Sequence, residues 1–190
     1  RASGQARIYL ESTVTVEEGR IWQEWQNGTA GEVVFPCQSC GDHIAPGREH
    51  LHGWQDAQSE AEAEAASRWA CPSCGWLFDD VKRREMLQRA KLRHRGQFID
   101  ASGKITGDIP ATKTMGFRYS AATNTFVTAA IVGADEWRGK REIDTENSER
   151  ELLQWTWALP AKPKEQAVEA LDFRSIMHRQ SSWRRGKVPP

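Results

Sequence analysis

The sequence lacks a phosphate cradle: no Gly-x-x-x-x-Gly-Lys-Ser/Thr run occurs in its 190 residues. No nest of backbone amides with a following lysine therefore stands ready for a β- or γ-phosphate. A strand-ending Asp-Glu pair that would hold Mg2+ is also missing, as is a cluster of metal-binding carboxylates. Glu60, Glu62 and Glu64 are closely spaced, but they sit in an alanine-rich run of low complexity and read as a solvated face. The chain by itself is expected neither to hydrolyse ATP nor to cut DNA. Net charge is absent too, 26 basic residues against 26 acidic ones, so no global field draws the chain to nucleic acid or to an acidic membrane, and any basic surface must be local. No apolar run approaches the length of a membrane span, and no leader pattern is visible, so no membrane partner is expected. The start on Arg1 and the end on "KVPP" read as those of a piece of a longer polypeptide.

Cysteine is scarce as well, and all four are committed to two copies of one turn, "CQSCG" at Cys37–Gly41 and "CPSCG" at Cys71–Gly75. A chain of this size buries a core without staples, so size does not force disulfides. Neither copy opens a helix in a thioredoxin-like βαβ pattern, which argues against redox chemistry. A Cys-x-x-Cys-Gly knuckle points two thiolates around a tight turn, and two knuckles complete a tetrahedral shell. Cys37, Cys40, Cys71 and Cys74 are thus expected to bind one Zn2+, structural because four thiolates leave no position for water. His43, His50 and His52 lie near the first knuckle and read as surface or supporting residues.

The expected fold class is α+β, a small zinc ribbon with flanking helices. Ile8, Tyr9 and Leu10 read as a short buried strand. Thr15 is the expected N-cap of an amphipathic helix carrying Ile21, Trp22 and Trp25 and stopped by Asn27-Gly28. The thirty residues between the knuckles loop out, with "QDAQSEAEAEAAS" either a solvated helix or a mobile insertion. One basic helix is expected from Asp79 and Asp80 to a Gly96 cap, with Met86, Leu87 and Ala90 as its buried stripe. "IDASGKITGDIPATKTMG" suggests loops with one hairpin, and "FRYSAATNTFVTAAIVG" is compatible with strand or with helix from Thr125 onward. A charged helix capped at Asn147 or Ser148 and ended by Pro160 should follow. A further helix carrying Val168, Leu171, Ile176 and Met177 then leads into a basic tail.

With these pieces in order, "IYLESTVT", "VVFPCQSCG", "RWACPSCG", the basic helix, "MGFRYSA" and "LLQWTWALP", the chain resembles the large terminase subunit of tailed bacteriophages, in its GpA-like branch. The resemblance implies a DNA-packaging motor acting in the host cytoplasm, in which an α/β ATPase domain using ATP and Mg2+ is joined to a nuclease through a zinc-knuckle connecting region. By that likeness residues 1–30 are the C-terminal end of the ATPase domain, 31–98 the zinc ribbon plus basic helix, and 99–190 a helical connector. Ser12, Thr13 and Thr15 match the family's Ser-Thr-Pro-Thr coupling loop, with Val14 in place of Pro and so one fixed backbone angle fewer. "LLQWTWALP" stands where relatives have Phe-x-Asn-Thr-x-Leu-Gly and departs from that pattern. The implied partners are double-stranded DNA, the small terminase subunit and the portal.

Lys82, Arg83, Arg84, Arg89, Lys91, Arg93 and Arg95 are the candidate DNA contacts, a basic face able to neutralise phosphates without reading sequence. The rival reading is a helix solvated by its cations. Arg174, His178, Arg179, Arg184, Arg185 and Lys187 form a second basic cluster, read as a solvated linker. The nine tryptophans are expected to pack around the metal site and in interdomain seams rather than stack on bases. A free-standing zinc-ribbon binding module and a purely structural spacer are the alternative functions.

Overall fold

Two small sheets, each offering a hairpin with one Cys-x-x-Cys at its tip, lie at the centre of the chain in a computed structural model that describes residues 8–162. The helix expected to carry Val168, Leu171, Ile176 and Met177, the second basic cluster and Trp183 lie outside the described residues. Strand β1 (Gly31–Pro36) is the axis of the first sheet, as its Val33, Val34 and Phe35 suit a pleated, half-buried surface. On one edge it pairs antiparallel with β6 (Lys91–Arg93). On the other it pairs antiparallel with β2 (His43–Ile44) through Phe35 and Pro36, and parallel with β9 (Phe117–Arg118) through Gly31 and Glu32. The second sheet has the order β3 (Leu51–His52), β4 (Arg68–Ala70), β5 (Leu77–Phe78), with Trp69 of β4 facing Leu51 on one side and Phe78 on the other. Phe35 and Phe78 meet edge to face at 6.4 Å and join the two sheets.

Helix α1 (Arg20–Asn27) is capped by Gly19, and Thr15 is not its N-cap. A tight turn closed by the Gly19 N–H on the Val16 carbonyl takes up Glu17 and Glu18, while the Thr15 carbonyl is engaged by the Ala161 N–H. Gly28 ends the helix as expected, its N–H reaching the Glu24 carbonyl. The segment between the knuckles does not loop out: it supplies β2, β3, β4 and α2 (Glu60–Ala66). Ser59 caps α2 by accepting the Glu62 N–H. Its Ala63 is fully buried, whereas Glu62 and Glu64 face solvent.

The largest correction concerns the basic helix. α3 (Asp80–Leu87) starts as expected, with Asp79 accepting the Lys82 N–H, but stops at Leu87. Residues 91–93 are the β6 strand, and Gly96 sits in a turn at φ +82° rather than at a helix end. The local composition favours helix, but β1 offers a row of backbone partners, and cross-strand pairing outweighs a weak intrinsic preference. Ile8, Tyr9 and Leu10 are likewise not a buried strand: they are exposed and pair with no strand among the described residues. The expected hairpin is β7 (Phe98–Ile99) with β8 (Ile105–Thr106). The undecided stretch after it holds both kinds of structure, β9 and then α4 (Ala129–Gly139), capped by Thr128. Helix α5 (Thr145–Glu151) is capped by Asp144, not by Asn147 or Ser148, and continues into a π turn at Leu152–Thr156.

The core gathers Phe35, Leu51, Trp54, Trp69, Phe78, Met86, Val132 and Trp157. Trp69 and Trp157 cross edge to face at 6.0 Å, while among the described residues Trp155 is the tryptophan left facing solvent at 71% exposure. Helices α2 and α4 approach closely because Gly133 has no side chain. A Cβ there would stand 1.8 Å from Ser67 Oγ and 2.7 Å from Ser67 Cβ. Gly133→Ala is therefore expected to lose about 1–3 kcal/mol by overpacking, read as a lower urea midpoint, with Ser67→Gly recovering part of the loss. An unchanged midpoint for Gly133→Ala would mean the helices separate freely.

Candidate metal centre

Each knuckle is built the same way. At the tip joining β1 to β2 the Cys37 N–H donates to the Asp42 carbonyl and the Gly41 N–H to the Cys37 carbonyl. At the tip joining β4 to β5 the Cys71 N–H donates to Trp76 and the Gly75 N–H to Cys71. Gly41 and Gly75 take φ of +81° and +71°, the left-handed conformation for which glycine is suited. The two tips face each other, and one sulfur from each of the four cysteines falls in a cluster whose atoms all lie within 4.8 Å of one another. Cys37 and Cys71 are buried, Cys40 and Cys74 exposed, and none is disulfide-bonded.

These four side chains fit a metal ion. A tetrahedron with metal–sulfur bonds of about 2.3 Å has sulfur–sulfur edges of about 3.8 Å, and Cys40 Sγ lies 3.8 Å from Cys71 Sγ. The backbone is organised for negative sulfurs. The Ser39 and Cys40 amides face Cys37, the Asp42 amide faces Cys40, the Ser73 and Cys74 amides face Cys71, and the Trp76 amide faces Cys74. Burial pushes the Cys37 and Cys71 thiols up against these amides. For Cys40 the Asp42 amide pulls downward, but burial and the neighbouring Cys74 and Cys71 thiols outweigh it, so the net shift is upward. The Cys74 thiol is drawn down to about 7, chiefly by the Trp76 amide. Four crowded thiols with six inward amides are an arrangement that a cation completes by taking up the thiolates.

The nearby histidines stand outside this cluster. His50 Nδ1 accepts the Gly47 N–H at 3.1 Å, and His52 is exposed on β3. Nδ1 of His43 is buried without a hydrogen-bond partner, and burial, followed by the charge of Lys91, holds its pKa below the usual histidine range.

The seven expected DNA contacts are not one face. Lys82 and Arg84 lie exposed on α3 and Arg89 is exposed in the turn after it, with Lys82 Nζ 5.1 Å over the Trp76 ring. Arg83 points inward: 1% exposed, it donates to the Ala121, Ala122 and Asn124 carbonyls at 2.9, 3.0 and 3.1 Å, and also to the Val127 carbonyl. Its charge is met by Asp80 at 2.9 Å, and desolvation holds its pKa below the usual arginine value. Lys91 Nζ donates to the Gly103 carbonyl, Arg93 pairs with Glu32 at 3.3 Å, and Arg95 donates to the Gln26 and Gly28 carbonyls at 2.8 and 3.0 Å.

Of the expected coupling loop, Ser12 and Thr15 are exposed, Thr13 is partly covered and Val14 is buried. The loop docks on the "LLQWTWALP" stretch: the Thr15 carbonyl accepts from Gln154 Nε2 and the Ala161 N–H, and Val16 bridges to Ala161. Sequence reasoning missed the group that anchors that stretch. Glu136, fully buried in α4, takes a two-pronged bond from Arg48 at 2.7 Å and the Trp157 indole N–H at 2.7 Å. Arg48 also pairs with Glu149, which holds the Glu149 carboxyl below its ordinary range. No spacing rule links these residues, and only an acid inside an apolar helical stretch hinted at them. Among the described residues no helix is long and apolar enough to cross a membrane.

Comparison with curated proteins and with solved structures gave no match. Comparison with family models bears out the resemblance over residues 2–91, from ahead of Ser12 through both knuckles and α3 to the first residue of β6, which match the phage terminase large subunit gpA, ATPase domain, whereas "MGFRYSA" and "LLQWTWALP" lie beyond the match.

Proposed function

We propose that this chain is the zinc-stabilised connecting region of a phage terminase large subunit, a ribbon that joins the end of an ATPase domain (1–30) to a helical connector (99–190). The observation that carries this reading is the four-sulfur cluster inside the residues that match the family. Zn2+ suits four thiolates at such spacing better than harder divalent ions do, and with no open position its role is structural. The residues present supply no phosphate cradle, so ATP, Mg2+ and DNA cutting belong to the intact protein, which would package DNA in the host cytoplasm with the small subunit and portal. Within this chain the coupling loop is Ser12, Thr13 and Thr15, and its docking on Gln154 and Ala161 would pass movement onward to the helical layer.

The duplex-facing cations would be Lys82, Arg84 and Arg89, since the other four are engaged within the protein. Anisotropy titrations of a labelled duplex across a salt series test this. The expected result is a steep loss of affinity with salt, with the triple change Lys82→Gln, Arg84→Gln and Arg89→Gln lowering the slope by about 2–3. A spacer that touches no DNA is the second reading, favoured by the same internal use of Arg83, Lys91, Arg93 and Arg95. Binding absent at low salt would select it.

A further inference from the structure

Helix α3 lies across both knuckles, and its contacts there are specific. Gln38, inside the first Cys-x-x-Cys, donates its backbone N–H to Met86 Sδ at 3.4 Å and its side-chain amide to Glu85 Oε2 at 3.0 Å. One turn earlier Lys82 covers the ring of Trp76, whose own amide faces the Cys74 sulfur. Positions 82, 85 and 86 share one helix face. The Ser39 and Cys40 amides turn toward the Cys37 sulfur, and the Gln38 amide is the one of that turn that instead finds a thioether. Met86 is fully buried and packs in the same cluster as Cys37 and Cys71. A leucine would fill that volume but could not accept the bond.

We propose that Met86 and Glu85 are positioning residues of the metal centre: by holding the first knuckle through Gln38 while Lys82 rests on the second, α3 sets how tightly the four thiolates grip the ion and how slowly they release it. This rests on the zinc reading above. Residues behind a ligand shell that orient it commonly change metal affinity by an order of magnitude, and here the orienting groups come from a helix rather than from the hairpins themselves.

The test uses the full chain loaded with Zn2+, challenged with a chromophoric chelator, and the Co2+-substituted chain read by its visible absorption. Met86→Leu is expected to lose about tenfold in Zn2+ affinity, to release the ion faster and to shift the Co2+ bands. Glu85→Ala, a surface change that does not threaten folding, is expected to lose about threefold, and Glu85→Gln to retain the parent values because its amide oxygen still accepts. A parent chain that holds one zinc while both Met86→Leu and Glu85→Ala release it at the parent rate, with unchanged Co2+ spectra, overturns the positioning role alone. A parent chain that binds no zinc overturns the zinc reading and this one with it.

Discussion

Replacing Cys71 with Ser is expected to remove the metal and most of the tertiary structure in one step. The strands that carry the knuckles are only two to six residues long, and hairpins of that size have little stability of their own. Besides helix α3, what joins them is the Phe35–Phe78 contact and the sulfur cluster between the tips. A bound ion there crosslinks two hairpins about thirty residues apart in sequence, and its binding free energy, on the order of 10 kcal/mol for closed structural sites, is added to folding. Cys71 is itself buried and continuous with the core through Trp69 and Ala70, so an unliganded hydroxyl there is also a buried polar group. Elemental analysis of the purified chain should find one zinc in the parent and none in Cys71→Ser, and tryptophan emission should shift to the red as Trp69 and Trp157 meet water. A Cys71→Ser chain that keeps its zinc, or keeps parent emission without it, would remove the ground for a structural ion.

The second large effect is expected at Arg83. Its guanidinium closes four carbonyls of the segment between β9 and α4. Asp80, its partner, meanwhile takes the Trp69 indole N–H at 3.3 Å and the Ala129 N–H at 2.9 Å. One ion pair thereby ties α3 to β4, to the turn at Ala121–Thr123 and to the start of α4. Arg83→Met matches the apolar stem but leaves Asp80 without its cation and the carbonyls without donors, a loss of about 3–5 kcal/mol. Arg83→Lys should recover only part, because one ammonium cannot serve a fork of carbonyls. The neighbouring Arg84→Met, on the exposed face, should stay within about 0.5 kcal/mol of the parent. Urea denaturation of the zinc-loaded chains measures all three. Equal midpoints for Arg83→Met and Arg84→Met would show that the inward arginine contributes no more than a surface one.

The neighbouring arginines mark the boundary between what could and could not be read from the residues. The knuckles were legible because their geometry is local: a Gly with left-handed φ after Cys-x-x-Cys makes the same turn wherever it occurs, and two such turns imply one four-sulfur site. The β7–β8 hairpin and the start of α3 at Asp79 were legible for the same reason, since turn and cap chemistry act over four residues. The end of α3 was not, because Lys91–Arg93 has no local reason to be a strand until β1 lies beside it. Nor was the run Ile8–Leu10, whose apolar types suit a strand that finds no partner among the described residues.

By itself, then, the sequence determined the four cysteines and the turns that present them, which short-range stereochemistry sets, and the likeness of residues 2–91 to a family model. Only the tertiary structure decided where the charges go. Arg83 turns inward while Arg84 stays in water, and Glu136 becomes the buried anchor of Arg48 and Trp157. The physical reason is that a charge is buried only where distant elements bring enough partners to replace its water, and no window of neighbouring residues contains that information.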